Sequence, residues 1–217
     1  MELNNYEREL KYLLNPNSDL TFEEIKNAFS KASYALIETR DKKKQEIYYD
    51  DPYYTIIKRG DVLRGSTHFN ADGTFSHFMY KKNVSHCNTP YVSKYEIGSD
   101  QFKTVQDFFI SLNLPYNISD LIPVLCAEVI RKTAVFEKGN HKILVSYDNV
   151  KYSQNQTCVY EKMLEAEDWT TPYTLKAASN PFDRHLLETN EFLLKNFPLS
   201  LTHDSKPYRG ITLLNFL

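Results

Sequence analysis

Two short acidic rows stand near opposite ends of the chain: Glu7-Arg8-Glu9-Leu10-Lys11 and Glu165-Ala166-Glu167. In an extended strand, side chains two apart share a face. Glu7, Glu9 and Lys11 therefore form one row with steps of about 7 Å, and Glu165 with Glu167 forms a second. Neighbouring carboxylates repel unless something neutralises them. A hard divalent cation does so, because Mg²⁺ and Mn²⁺ favour carboxylate oxygens. Taken alone, the first row is ordinary for a solvated strand face. Between the rows, β-like runs carry lone cations: Arg64, Lys81, Lys94 followed by Glu96, and Lys132. A barrel pointing these inward would set an acidic patch beside basic walls. That chemistry suits a metal-polyphosphate, with carboxylates holding the metal and cations holding the phosphates.

The elements that must position these residues follow from periodicity. Alternating or β-rich runs span Tyr6 to Leu13, Gln45 to Tyr49, Asp61 to Thr67, Thr74 to Lys82, Tyr91 to Ile97, Leu125 to Phe136, Lys142 to Tyr147 and Cys158 to Glu167. Asn70-Ala71-Asp72-Gly73 and Gly139-Asn140 supply turns. A capping box at Thr21-Phe22-Glu23-Glu24 opens a helix with Phe22, Ile25, Phe29, Ala32 and Leu36 on one face. Ser99-Asp100 is expected to cap a second helix carrying Phe102, Val105, Phe108, Phe109 and Leu112, with Pro115 past its end. A third helix is expected over Pro181 to Phe197. Asp41 to Lys44, including Lys42-Lys43-Lys44, reads as a solvated charged turn, and Leu199 to Leu217 as an irregular tail. This order indicates an α+β fold dominated by an antiparallel sheet.

Composition narrows the function classes. At 217 residues the chain suits one domain, 1-217, with a helix and tail from about 180 packed on it. The net charge of -2 gives no general drive toward DNA or an anionic membrane. Neither GxGxxG nor a P-loop occurs, and no apolar run is long enough to span a bilayer. Cys87, Cys126 and Cys158 form no CxxC and are odd in number, which fits reduced thiols in a cytoplasmic protein. The first residues lack the basic and apolar segments of a signal peptide. The six histidines are scattered and read as structural or surface groups. With 16 Tyr and 13 Phe, aromatics exceed what a charged interior accepts, so they are expected outside it, under the helices. Packing also accounts for Tyr48, Tyr49, Tyr53 and Tyr54 better than base stacking does, and Trp169 is expected to anchor the last strand.

A resemblance sharpens this picture. Glu7-Arg8-Glu9-Leu10-Lys11 matches the E-x-E-x-K signature of the CYTH, or triphosphate tunnel metalloenzyme, superfamily. Further segments follow in the superfamily's order: Ile47-Tyr48-Tyr49-Asp50-Asp51-Pro52, Asp61-Val62-Leu63-Arg64, Met79-Tyr80-Lys81, Lys94-Tyr95-Glu96, Ile130-Arg131-Lys132, Tyr147-Asp148 and Leu164-Glu165-Ala166-Glu167. The tail Leu201-Thr202-His203-Asp204-Ser205-Lys206-Pro207-Tyr208-Arg209-Gly210 resembles one seen in some members. The resemblance implies an eight-stranded antiparallel β-barrel, a triphosphate tunnel with flanking helices, and metal-dependent hydrolysis of a triphosphate: tripolyphosphate, thiamine triphosphate, a nucleoside triphosphate or an RNA 5′ end. It implies Mg²⁺ or Mn²⁺ on Glu7, Glu9, Glu165 and Glu167, assisted by Asp148. Lys11, Arg64, Lys81, Lys94 and Lys132 would hold phosphates, with Glu96 orienting them. A homodimer is compatible with it.

Two departures stand out. Ser66 and Ala134 replace arginines expected in the basic strands, and lysine does not substitute for a bidentate guanidinium. The interior is therefore expected to be less basic than usual. Two rival functions remain open: a class IV-type adenylate cyclase, and a non-catalytic module that binds nucleotide or polyphosphate.

Overall fold

The structure is a computed structural model that describes the backbone of residues 3–86, 92–100, 104–112, 116–170 and 184–214, and side chains over 8–82, 100, 104–112, 116–170 and 184–214. The expected positions Cys87, Tyr91, Phe102, Pro115, Pro181 and Phe182 lie outside the described side chains.

Eight strands close on themselves. They are β1 (Leu3–Leu14), β2 (Ala35–Asp50), β3 (Asp61–Phe69), β4 (Phe75–His86), β5 (Val92–Ser99), β6 (Ile122–Lys138), β7 (His141–Gln154) and β8 (Thr157–Asp168). Their order is β5-β4-β3-β2-β6-β7-β8-β1, and β1 pairs with β5 to complete the ring. Every pairing is antiparallel. A ninth strand, β9 (Leu199–Thr202), joins β1 beyond the stretch that β5 occupies, at Lys11 to Leu14. Closure leaves few free edges and gives each strand one inward and one outward row.

The outward rows are covered by helices. α1 (Phe22–Lys31) carries the expected capping box: the Glu24 amide donates to Thr21 Oγ1, and the Thr21 amide donates to Glu24 Oε2. With α4 (Arg184–Asn196) it packs Phe22, Ile25, Phe29, Leu186 and Leu193 on Leu10, Tyr12, Phe136, Tyr147 and Leu164 of the wall. Phe29 and Phe136 stack at 4.4 Å. A second cover forms where α3 (Val105–Ser111) and Ile56 of α2 (Thr55–Lys58) meet Leu63 and Met79. Each large side chain so buried stabilises the fold by about 1.5–3 kcal/mol.

The inward rows divide the interior into two halves. One half is apolar, where Tyr48, Val62, Ala127, Val129, Val150, Tyr152 and Met163 meet Ile211 and Leu214 at the end of α5 (Lys206–Leu213). Gly210 lets α5 approach this closely, since a Cβ there would stand 2.6 Å from Tyr152 Cδ1 and 2.7 Å from Leu125 Cδ2. The other half is polar and holds the candidate site. Aromatics are thus not confined to the outside, because Tyr48 and Tyr152 fill the closed end.

Four sequence expectations change. The segment Asp41 to Lys44 is no turn but the middle of β2, paired with β6 almost throughout. Leu36 belongs to that strand and not to α1, which ends at Lys31. Thr104, not Ser99 or Asp100, caps α3, accepting from the Asp107 amide. The tail is ordered as β9 and α5, with Ser205 capping the latter. Trp169 joins the barrel through its backbone, the amide donating to the Lys142 carbonyl at 2.8 Å, while its side chain is exposed. Among the described residues, Cys126 and Cys158 are unbridged and no helix is long and apolar enough to cross a membrane.

Candidate functional site

A polar cavity of about 260 Å³ occupies the charged half of the barrel. Strand alternation decides which residues reach it. From β1 come Glu9 and Lys11, and from β8 Glu165 and Glu167. The register sets Glu9 opposite Glu167 and Lys11 opposite Glu165, so the two acidic rows lie side by side on adjacent strands. Lys42 and Lys44 of β2, Arg64 and His68 of β3, Lys82 of β4, Arg131 of β6 and Lys206 of α5 supply the remaining charged groups and the histidine of the lining.

Two ion-paired clusters build the walls. In the first, Arg131 grips Asp148 with both faces of its guanidinium fork, Nε to Oδ1 at 2.7 Å and Nη2 to Oδ2 at 2.6 Å, and also donates to Glu165. Lys206 Nζ lies 3.0 Å from Asp148 Oδ2 and pairs with Glu165. Burial alone would push the Asp148 carboxyl up, but Arg131 and Lys206 overcome it and hold the group below its ordinary value of 3.8. Burial likewise opposes the charge on Arg131 and Lys206, and the facing carboxylates more than restore it.

The second cluster centres on Glu46, which is fully buried. Lys44 Nζ lies 2.7 Å and Arg64 Nη1 2.8 Å from its Oε1, while the Tyr48 hydroxyl donates to Oε2 at 2.5 Å. The Arg64 guanidinium also lies over the Tyr80 ring, 4.7 Å from the centroid. His68 Nε2 sits 3.0 Å from Ser66 Oγ. Burial, reinforced by Lys44 and Lys42, pushes His68 down to about 4, so it is neutral at physiological pH.

The candidate residues read from the sequence separate into three groups. Glu9, Glu165, Glu167, Lys11 and Arg64 line the cavity, and buried Asp148 braces it. Lys81 and Lys132 do not reach it: strand alternation turns them to the outer face, and their neighbours Lys82 and Arg131 point in. Glu7, Lys94 and Glu96 have side chains outside the described residues; the backbone register pairs Glu7 with Lys94.

The same alternation corrects the two departures. Thr133, two residues from Arg131, holds the inward position assigned to Ala134, which packs in the outer core. Ser66 does point inward, and the Ser66–His68 pair stands where a second arginine was expected. The interior is nevertheless strongly basic, because Lys42, Lys44 and Lys206 enter from segments read as turn and tail. The signal for the first two was present in β2, where Glu38, Arg40, Lys42, Lys44, Glu46 and Tyr48 alternate on one face. Glu161 and Met163 share the strand face of Glu165. Met163 joins the apolar half and Glu161 is taken by Arg209, leaving Glu165 for the cavity.

The donor chemistry bears on a metal. Among the described residues no three or more His, Cys, Asp or Glu side chains are gathered as a metal site. The cross-strand pair Glu9 and Glu167 supplies hard oxygens at the cavity wall. That suits an ion such as Mg²⁺, which is typically held by one or two carboxylates together with substrate phosphates.

No protein-family model matches the sequence, and no curated protein is similar to it. Solved structures do resemble the fold. A protein from Pyrococcus horikoshii OT3 is 16% identical with a TM-score of 0.56, the match covering 96% of this chain and 98% of that one. A Hippeastrum protein, described as an adenylyl cyclase candidate with a dominant triphosphatase activity, is 13% identical with a TM-score of 0.53, covering 97% of each chain. Both share with this chain the antiparallel β-barrel with flanking helices that the sequence resemblance implied.

Proposed function

We propose that the barrel interior binds a triphosphate together with a divalent metal and hydrolyses its terminal phosphoanhydride. One observation carries this reading: inside the barrel, Lys11, Lys42, Lys44, Arg64, Lys82, Arg131 and Lys206 converge on a cavity whose edge carries the Glu9–Glu167 pair. The seven cations outnumber the five carboxylates set among them, Glu9, Glu46, Asp148, Glu165 and Glu167, and a polyanion offsets the excess. The triphosphatase activity described for the Hippeastrum protein of the same fold is consistent with it.

Glu9 and Glu167, with Glu7 next along the row, are the residues that would hold the metal. When bound, Mg²⁺ or Mn²⁺ would neutralise charge that develops on the phosphate oxygens. Lys11, Lys44, Arg64 and Lys82 hold the remaining oxygens and fix the chain of phosphates along the cavity. Arg131 and Lys206 each bridge two carboxylates, Asp148 and Glu165, so they shape the cavity and set its potential. Water attacks the terminal phosphorus, a new P–O bond forms, the bridging P–O bond breaks with its electron pair leaving on the diphosphate, and the water's protons pass to phosphate oxygens and solvent. No covalent intermediate is required.

Non-catalytic binding of a polyphosphate is the second reading, and one observation favours it. Asp148 and Glu165 are occupied by Arg131 and Lys206, which leaves fewer carboxylates for a metal. Phosphate release from tripolyphosphate, thiamine triphosphate, ATP, GTP and 5′-triphosphate RNA, each with Mg²⁺, Mn²⁺ or chelator, separates the two. Metal-dependent release from any of them supports the hydrolase and names its substrate class. Binding without release supports the second reading, and cyclic nucleotide with pyrophosphate would indicate a cyclase.

A further inference from the structure

Glu46 is an acid in a wall built to hold anions, and it is fully buried. The register sets it opposite Ser66 on β3 and Ala127 on β6, so neither neighbouring strand places a charge directly across from it. Its cations come diagonally. Lys44 and Arg64 converge on the same oxygen, Oε1, at 2.7 and 2.8 Å, and the Tyr48 hydroxyl fixes the other. The carboxylate plane is thereby held, and Arg64 is pinned again from the side by the Tyr80 ring.

We propose that Glu46 is a positioning residue that holds Lys44 and Arg64 side by side as one two-cation clamp for a phosphate group. The proposal rests on the cavity being a polyphosphate site. Two cations drawn to one oxygen would diverge on their flexible stems without it, by mutual repulsion. With it they stay adjacent and retain a net positive charge for the ligand.

The charges around Lys44 support this role. It is faced by Glu46 and Lys42 on its own strand, Arg64 and His68 on β3, Arg131 on β6 and Lys206 on α5. Burial pulls the Lys44 amine down, Glu46 draws it back up, and Arg131, Arg64 and Lys206 add to the fall, leaving it at about 8. Burial pushes Glu46 up, but Arg64, Lys44 and Lys206 hold it well below the usual carboxylate range. Lys44 therefore keeps its proton at neutral pH because Glu46 is ionised beside it.

The test has a ligand-free arm and a ligand arm. Lys44 is titrated by lysine side-chain NMR in wild type and Glu46→Gln. Tripolyphosphate binding is then measured by calorimetry from about pH 6 to pH 9. The wild-type Lys44 midpoint is expected near 8, and in Glu46→Gln at least about one pH unit lower, since an adjacent opposite charge commonly shifts a group by that much or more. With a one-unit drop, the protonated fraction of Lys44 near pH 7.5 falls from about three-quarters to about one-quarter, so tripolyphosphate affinity should fall roughly threefold in the variant there, with the gap narrowing toward pH 6. An unchanged Lys44 midpoint, or an affinity loss equal at every pH, overturns the clamp while leaving the polyphosphate site intact. Absence of tripolyphosphate binding to wild type overturns the polyphosphate reading itself and the clamp with it. Should Glu46→Gln fail to fold, Glu46→Asp keeps the charge but retracts it by one methylene. A wild-type midpoint and affinity in that variant would equally overturn the clamp.

Discussion

Lys206 Nζ lies 3.0 Å from Asp148 Oδ2 and also pairs with Glu165, so the C-terminal helix is ion-paired to the barrel interior. Lys206→Ala removes one of the two cations that the buried carboxylates of Asp148 and Glu165 share. Breaking a buried charge network in this way costs about 3 kcal/mol. A urea unfolding midpoint near neutral pH that does not move would contradict the pairing.

Acid should loosen the same network. The unfolded carboxyls of Glu46 and Asp148 titrate near 4.5 and 3.8, and the folded ones lie lower. Between these limits the unfolded chain binds more protons, so stability rises with pH there. The contribution is complete above the unfolded values and is lost as pH falls through the folded ones. The stability of wild type is expected to drop below about pH 4.5, and Asp148→Asn should show a shallower acid limb even if it is less stable throughout. Equal slopes would remove Asp148 as a contributor.

Arg131 and Lys132 are adjacent in sequence and opposite in role. Arg131→Ala removes the bidentate partner of Asp148 from the cavity wall, and triphosphate turnover is expected to fall on the order of 100-fold. Lys132→Ala acts on the outer face, with stability within about 0.5 kcal/mol of wild type and turnover retained. Paired rate measurements on the two variants decide it, and the reverse ranking would mean that the strand is set one residue out of register.

Gly210 marks where α5 closes the apolar end. A methyl there meets Tyr152 and Leu125 at distances under 3 Å, so Gly210→Ala forces side chains or helix to move. The expected cost is about 1–3 kcal/mol in a thermal melt. Because Lys206 lies on the same helix, tripolyphosphate affinity should change with it. A variant as stable as wild type would show that the helix is not docked this closely.

The eight strands were legible because each carries a run of β-forming or alternating residues bounded by turn signals, and the capping box at Thr21 fixed the first helix. What misled was charge. Lys42-Lys43-Lys44 looks like a solvated turn because buried lysines are rare, yet two of the three face into a cavity that a polyanion would neutralise. Lys81 and Lys132 were misplaced for a different reason: in a strand, a one-residue uncertainty in register exchanges the two faces, and only cross-strand pairing resolves it. Glu46 and His68 carried no signal by themselves, since a carboxylate between two cations and a histidine beside a serine acquire meaning only when β2 and β3 are laid together. Lys206 lay within a recognisable tail segment, but its reach to Asp148 is a tertiary contact that local pattern does not encode.

The central claim concerns the Glu9–Glu167 pair and the cations facing it. Its most direct test is the initial rate of orthophosphate release from tripolyphosphate with Mg²⁺, comparing wild type with Glu9→Gln/Glu167→Gln after both are shown to fold alike. The account predicts measurable release by wild type and a loss on the order of 100-fold or more in the double variant. Release at the wild-type rate by the folded double variant would contradict it.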